Sequence, residues 1–189
     1  MSLINLFFEQ KKYTSSDINE HMETLKKYSE ECETIIEMGV RSIVSTWGFL
    51  NGLKKTKGKL LCIDVTHPSY FNANPSLEET ISIAEKEGIE MKFLLADTLK
   101  IKIDNTDLLF IDTLHNYEQL IAELNLHSKN VNKYIIMHDT EHNRFKGDLG
   151  KEGLEKAINE FLQNNEKWSI KEVFTNNNGL TVLQRVQYE

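Results

Sequence analysis

The segment Asp107-Leu-Leu-Phe-Ile-Asp112-Thr-Leu-His115-Asn-Tyr117 sets a carboxylate and an imidazole three residues apart, just past a short apolar run. Tyr134-Ile-Ile-Met-His138-Asp139-Thr140-Glu141-His142 repeats the design. Asp112 and Asp139, with an oxygen from Thr140 or Glu141, suit a hard divalent cation. Mg²⁺ takes one or two carboxylates and completes its shell with water and substrate oxygens. His115 stands within reach of such a site as a general base on a hydroxyl. His138 and His142 flank Asp139, so a softer ion held by imidazole is a second option. The plainer reading is that Asp112 caps the next helix and His115 is a loop histidine with its hydrogen bonds satisfied.

Three further acids follow apolar runs. Glu37-Met-Gly39 closes the first, and the glycine lets backbone approach a ligand closely, while Ser45 or Thr46 caps the next helix. Asp64 closes the second, roughly 20 residues or a little more beyond the glycine turn, the place from which an acid accepts ribose hydroxyls. Asp97, in Leu94-Leu-Ala-Asp97-Thr98, can accept from an adenine amino group or form an Asx-type turn. One such acid carries little weight. Four strands of one sheet ending in acids direct several carboxylates at one crevice, because ligands of open α/β sheets gather at the carboxyl ends of strands.

The elements needed to hold these residues can be read in order. Residues 1–14 read as a loosely attached arm. Ser15-Ser16-Asp17 is an N-cap cluster with Glu20 as capping-box partner, before the stripe Ile18, Met22, Leu25, Tyr28. Strands are expected over 34–39, 59–64, 90–96 and 108–112, and from Tyr134 to Asp139. Helices are expected over 45–53, 76–87, 117–127 and 150–164. Trp168 to Phe174 and Leu180 to Gln184 form a hairpin across Asn176-Asn-Asn-Gly179, residues that tolerate positive φ. Such alternation predicts one α/β domain over 1–189: a Rossmann-like, doubly wound, mostly parallel seven-stranded sheet with helices on both faces and a C-terminal antiparallel hairpin.

Composition narrows the classes. The 189 residues carry 29 acidic and 22 basic side chains, a net charge of -7, which argues against a broad nucleic-acid or anionic-lipid face. Cys32 and Cys62 stand apart in apolar surroundings, as reduced thiols of a cytoplasmic protein do. Leu3 to Phe8 is too short for a signal or spanning segment. Lys54, Lys55 and Lys57 read as a solvated turn, and Trp47 and Trp168 as packing. A dinucleotide-dependent dehydrogenase is disfavoured, since the GxGxxG fingerprint is missing.

Taken together, Glu37-x-Gly39…Ser45-Thr46, the strand-end Asp64, Ala96-Asp97, Asp112-x-x-His115-x-Tyr117 and His138-Asp139 resemble class I S-adenosylmethionine (SAM)-dependent methyltransferases. More narrowly, they resemble the branch of macrocin O-methyltransferases and cephalosporin-hydroxylase-like proteins. The resemblance runs from about Glu33 to His142. It implies that Glu37 and Gly39 lie by the methionine part of the cofactor, Asp64 at the ribose and Asp97 at the adenine, with Ser45 a further cofactor-binding residue. Asp112 falls at both cofactor and metal, Asp139 at the metal with Glu141 as a further ligand, and His115 is the catalytic histidine. The expected reaction is metal-assisted O-methylation, with Mg²⁺ or another divalent cation, of a small hydroxylated acceptor such as a sugar or glycan component, with no nucleic acid or membrane partner. The chain has little insertion with which to build a lid, so a second subunit is a candidate to complete the pocket of a homo-oligomer. Two departures stand out. The turn, usually Gly-x-x-x-Gly in this branch, has Ile43 at its second glycine, and His138 stands where an acid is common. Ile43 is the basis of the alternative readings, a metal-dependent hydrolase- or hydroxylase-like enzyme or a non-catalytic binding module with a degenerate cofactor pocket.

Overall fold

The computed structural model describes residues 2–186. The chain divides into two compact units, Met1–Thr98 and Leu99–Glu189. The first holds helices α1 (Leu3–Tyr13), α2 (Met22–Ser29), α3 (Ser45–Leu53) and α4 (Leu77–Lys86) with strands β1 (Thr34–Met38), β2 (Lys59–Asp64) and β3 (Glu90–Leu95). The second holds β4 (Thr106–Ile111), α5 (Tyr117–His127), β5 (Val131–His138), α6 (Leu154–Asn164), β6 (Trp168–Phe174) and β7 (Leu180–Arg185). The seven strands form one sheet in the order β3-β2-β1-β4-β5-β7-β6. This is the α/β arrangement expected from the alternation of apolar runs and amphipathic stretches.

In the first unit β1 pairs with β2 and β2 with β3, all parallel. Ile35, Ile36 and Met38 of β1 and Leu60, Cys62 and Ile63 of β2 are buried, the near-continuous burial of strands covered on both faces. Helix α4 begins with a full capping box: Ser76 Oγ accepts from the Glu79 backbone N–H, and Glu79 accepts in return from Ser76. The part of the expected loose arm that is described, residues 2–14, is helical and packed. Ser2 caps α1 by accepting from the Asn5 N–H at 3.3 Å, and Ile4 and Phe8, four residues apart on one face, are buried. Phe7 lies with its ring centroid 4.8 Å from that of Trp47. The chain enters α2 through a 3₁₀ turn over Asn19–His21, and the Asp17 carboxylate accepts from Arg41 at 3.0 Å.

In the second unit β4 and β5 are parallel, β7 runs antiparallel to β5, and β6 antiparallel to β7. The hairpin turn uses positive φ at Asn177, Asn178 and Gly179, as its composition predicts. Helix α6 starts four residues later than expected because residues 143–153 fold on themselves first. The Leu154 N–H donates to the Asn143 carbonyl at 2.9 Å and the Gly147 N–H to the Lys151 carbonyl at 2.9 Å. Both cysteines are free and buried. Among the described residues no helix is long and apolar enough to cross a membrane.

Candidate functional site

In the first unit the polypeptide leaves β1 through Gly39, whose φ of 87° needs glycine. The Gly39 N–H donates to the Ile63 carbonyl at 2.9 Å, tying the turn to β2. Asp64, last residue of β2, then grips the same turn. Its Oδ2 accepts from the Val40 and Arg41 N–H groups at 2.8 and 3.0 Å, and its Oδ1 from Thr66 N–H at 2.8 Å. A carboxylate has about four acceptor positions, so the position expected to hold a ribose already shapes the loop. Ile43 follows with φ of 59° and a buried side chain. The backbone thus keeps the left-handed conformation a glycine would take, although a β-branched residue occupies it.

Glu37 and Ser45 are brought together, but against each other. Glu37 is fully buried, with Oε1 accepting from Ser45 Oγ at 2.5 Å and Oε2 from Thr46 Oγ1 at 2.8 Å. Ser45 and Thr46 open α3, so the carboxylate lies at a helix N-terminus, where peptide dipoles favour an anion. The Cys62 thiol lies 3.1 Å from Glu37 Oε2; burial first, then the neighbouring negative charge, pushes the thiol well above its ordinary range. Asp97 lies half-buried two residues past β3, followed by a 3₁₀ turn. The Ala96 N–H donates to the Asp64 carbonyl at 2.9 Å, which fixes the two strand ends side by side.

In the second unit the predicted acids and histidines do converge. Asp112 is the first residue past β4, and His138 and Asp139 are the last of β5 and the first beyond it. His115 Nε2 lies 3.0 Å from Asp112 Oδ1 and 3.0 Å from Asp139 Oδ2. His138 Nδ1 lies 3.4 Å from Asp112 Oδ1 and 3.2 Å from Asp139 Oδ2. Burial opposes charge on all four groups, and their mutual hydrogen bonds outweigh it. Asp112 and Asp139 are held below the usual carboxylate range, His115 is raised, and His138 is pushed up to about 10. Donor atoms of Asp112, His138 and Asp139 all lie within 4.8 Å of one another, compact enough to hold one metal ion.

Glu141, expected as a metal ligand, does not join this group. Asp139 adopts φ of 57°, the Glu141 and His142 N–H groups both donate to the Asn178 carbonyl at 2.9 Å, and the Glu141 carboxylate lies 3.7 Å from Arg144 Nη1. His138 is the residue that lies with the two acids. Thr140 is turned to Thr181, whose hydroxyl donates to it at 2.9 Å. Tyr117 donates to Glu160 on α6 at 2.7 Å, away from the cluster.

Two residues of the site escaped the sequence reading. Asp148 Oδ2 lies 3.1 Å from His115 Nδ1 and accepts the His115 backbone N–H at the same distance. Fully buried Glu123 accepts from Thr113 Oγ1 and from Gln119 Nε2, each at 2.8 Å, steadying the residue after Asp112. Glu123 had a signal, a carboxylate between Leu120 and Leu124 on the inward face of α5. Asp148 had none, since it sits in a glycine-rich loop with no periodicity.

No protein-family model matches the sequence, and no curated protein matches it. Solved structures do. An O-methyltransferase from Bacillus cereus in complex with SAH (S-adenosylhomocysteine) superposes with a TM-score of 0.65 and 14% identity, over 97% of this chain and 90% of that one. An SAH-bound methyltransferase of Podospora anserina gives 0.63 and 14%, over 97% and 88%. A methyltransferase from Geobacter sulfurreducens gives 0.63 and 14%, over 99% and 90%. Likeness at such identities defines the fold: the chain has the Rossmann-like seven-stranded fold of class I SAM-dependent methyltransferases, closed by an antiparallel hairpin.

Proposed function

We propose that the protein is a SAM-dependent O-methyltransferase acting with a divalent cation on a small hydroxylated acceptor such as a sugar or glycan component. The observation that carries this reading is the aim of His115: its Nδ1 is held by Asp148 while its Nε2 faces the carboxylate pair past β4 and β5. The narrower likeness to macrocin O-methyltransferases rests on the same residues, Asp112, His115 and Asp139. The fold supports the cofactor assignment, with Gly39 and Asp64 as the residues of the first unit that would meet it. SAM supplies a methyl on a sulfonium, whose C–S electron pair departs with sulfur as the acceptor oxygen bonds to carbon.

His115 would take the acceptor's hydroxyl proton at Nε2, and Asp148 would stabilise the resulting imidazolium through Nδ1–H. Asp112, Asp139 and His138 would hold the cation, which contributes positive charge beside the developing oxyanion. That charge would offset the negative potential that Asp112 and Asp139 place on His115. The rest is orientation of the acceptor oxygen in line with the methyl group.

The test is calorimetric titration with SAH, with and without divalent cation, on wild type and Asp64→Ala. Micromolar binding that Asp64→Ala abolishes supports the reading. No binding under any condition overturns it and favours the metal-dependent hydrolase-like alternative, in which Asp64 and Glu37 serve only the loop and helix they already hold.

A further inference from the structure

We infer that the strand-end carboxylate pair is a first-row transition-metal site with His138 as its third protein ligand, selective for ions of the Mn²⁺ to Zn²⁺ series over Mg²⁺. The inference deepens the proposed function, on which it rests for the ion's role in the reaction but not for its binding. Three observations lead to it. First, the His138 side chain has no exposure and presents Nδ1 between two acids, 3.4 Å from Asp112 Oδ1 and 3.2 Å from Asp139 Oδ2. Bonds of about 2.0–2.2 Å from one ion to N and O donors separate neighbouring donors by about 3 Å or slightly more, which is the spacing from Nδ1 to each acid here, with all three donors within 4.8 Å.

Second, the other ring nitrogen has its own partner. His138 Nε2 lies 3.2 Å from the Asn177 carbonyl. A carbonyl can only accept, so Nε2 keeps its proton, and it is Nδ1 that exchanges its proton for an ion between the two carboxylates. Metal-ligating histidines are oriented in this way, with the distal N–H given to a carbonyl or carboxylate. The hairpin turn that supplies Asn177 is thereby part of the site.

Third, the oxygen donor that would have favoured Mg²⁺ is turned away, since Glu141 faces Arg144. Mg²⁺ demands oxygen ligands, whereas imidazole suits Fe, Ni, Cu and Zn, and affinity for mixed N/O sets rises along the first row. His115 Nε2 also lies 3.0 Å from each acid, but it stands outside the compact three-donor group, and its Nδ1 contact with Asp148 suits it to proton transfer. Of the ions the sequence leaves open, Mg²⁺ or another divalent cation including a softer one held by imidazole, this donor set favours the softer.

The experiment titrates metal-stripped protein with Co²⁺, Mn²⁺ and Mg²⁺ by calorimetry, on wild type and His138→Gln, and repeats each with SAH. Co²⁺ binding at least 100-fold tighter than Mg²⁺, weakened tenfold or more by His138→Gln while Mg²⁺ is little changed, is the expected result. Mg²⁺ within tenfold of Co²⁺, Co²⁺ indifferent to His138→Gln, or no binding of any ion overturns it. Should His138→Gln not fold, pulsed EPR of Cu²⁺-loaded His115→Gln decides: imidazole ¹⁴N coupling must persist, and its loss overturns the assignment. Selectivity as expected without SAH binding would sink the methyltransferase reading alone; SAH binding with Mg²⁺ preferred would sink this inference alone.

Discussion

Asp148 accepts two hydrogen bonds from a single residue, the backbone N–H and the ring Nδ1 of His115, both on Oδ2 at 3.1 Å. The contact is returned, since the Asp148 N–H donates to the His115 carbonyl at 2.8 Å, and Asn143 Nδ2 donates to the other carboxylate oxygen at 3.3 Å. A carboxylate on Nδ1–H fixes the tautomer and favours the imidazolium that forms when Nε2 takes a proton. Replacing Asp148 by Asn keeps an acceptor but removes the charge. The expected effect is a kcat about 10- to 100-fold lower with SAH affinity and acceptor KM unmoved. Equal losses in kcat and SAH binding would mean that Asp148 merely holds the loop.

Gly147 makes that contact sterically feasible. A Cβ there would lie 2.5 Å from the His115 carbonyl oxygen and 2.7 Å from that of Glu152, both backbone atoms. Gly147→Ala must therefore move the loop. It should cost roughly 1–3 kcal/mol, the usual penalty for overpacking, and should lower kcat with it because Asp148 is carried off His115. Urea denaturation and steady-state kinetics on one preparation check both, and an alanine variant with wild-type stability would contradict the geometry.

Why some of this was legible in the sequence and some not follows from how each residue is placed. Asp64, Asp112, His138 and Asp139 are positioned by strands, and a short apolar run halted by a polar residue marks a strand end with little ambiguity. Glu141 lies only two residues past Asp139, yet the left-handed turn at Asp139 sends it to Arg144, and no local pattern signals that turn. Asp148 reaches His115 through a close backbone approach 33 residues away in sequence. Helix α1 was hidden differently: two buried side chains and one cap hold it, and the polar run Glu9-Gln10-Lys11-Lys12 resembles a solvated tail.

The charge cluster gives the metal-free protein a pH signature. Against burial, hydrogen bonds donated to Asp112 and Asp139 lift His138 from its ordinary 6.5 to about 10, so its contribution to stability is complete below 6.5 and fades as pH rises through about 10. Asp112 and Asp139 are depressed, so theirs is complete above 3.8 and is lost as pH falls through the lowered values. With chelator present, the gap in urea midpoint between wild type and His138→Gln should be widest near pH 6 and shrink steadily toward pH 10. A gap that stays constant would mean that the His138–carboxylate pairing contributes no proton-linked stability.

Ile43 supplies the sharpest test of the cofactor turn. Its φ of 59° costs a β-branched residue about 1–3 kcal/mol relative to an unstrained conformation, while its side chain is 1% exposed and packed in the core. Truncation removes the packing in either of two ways, and the two differ in backbone. At an ordinary buried position glycine is worse than alanine by roughly 0.5–1 kcal/mol, through its extra freedom when unfolded. Here alanine keeps a left-handed penalty of about 1–2 kcal/mol that glycine escapes. The order should therefore invert, with Ile43→Gly equal to or more stable than Ile43→Ala, though both fall below wild type for the lost packing. Denaturant titration of the two variants decides it. If alanine proves clearly the more stable, the turn does not hold the left-handed conformation in solution, and the glycine-like backbone expected beneath the cofactor is lost with it.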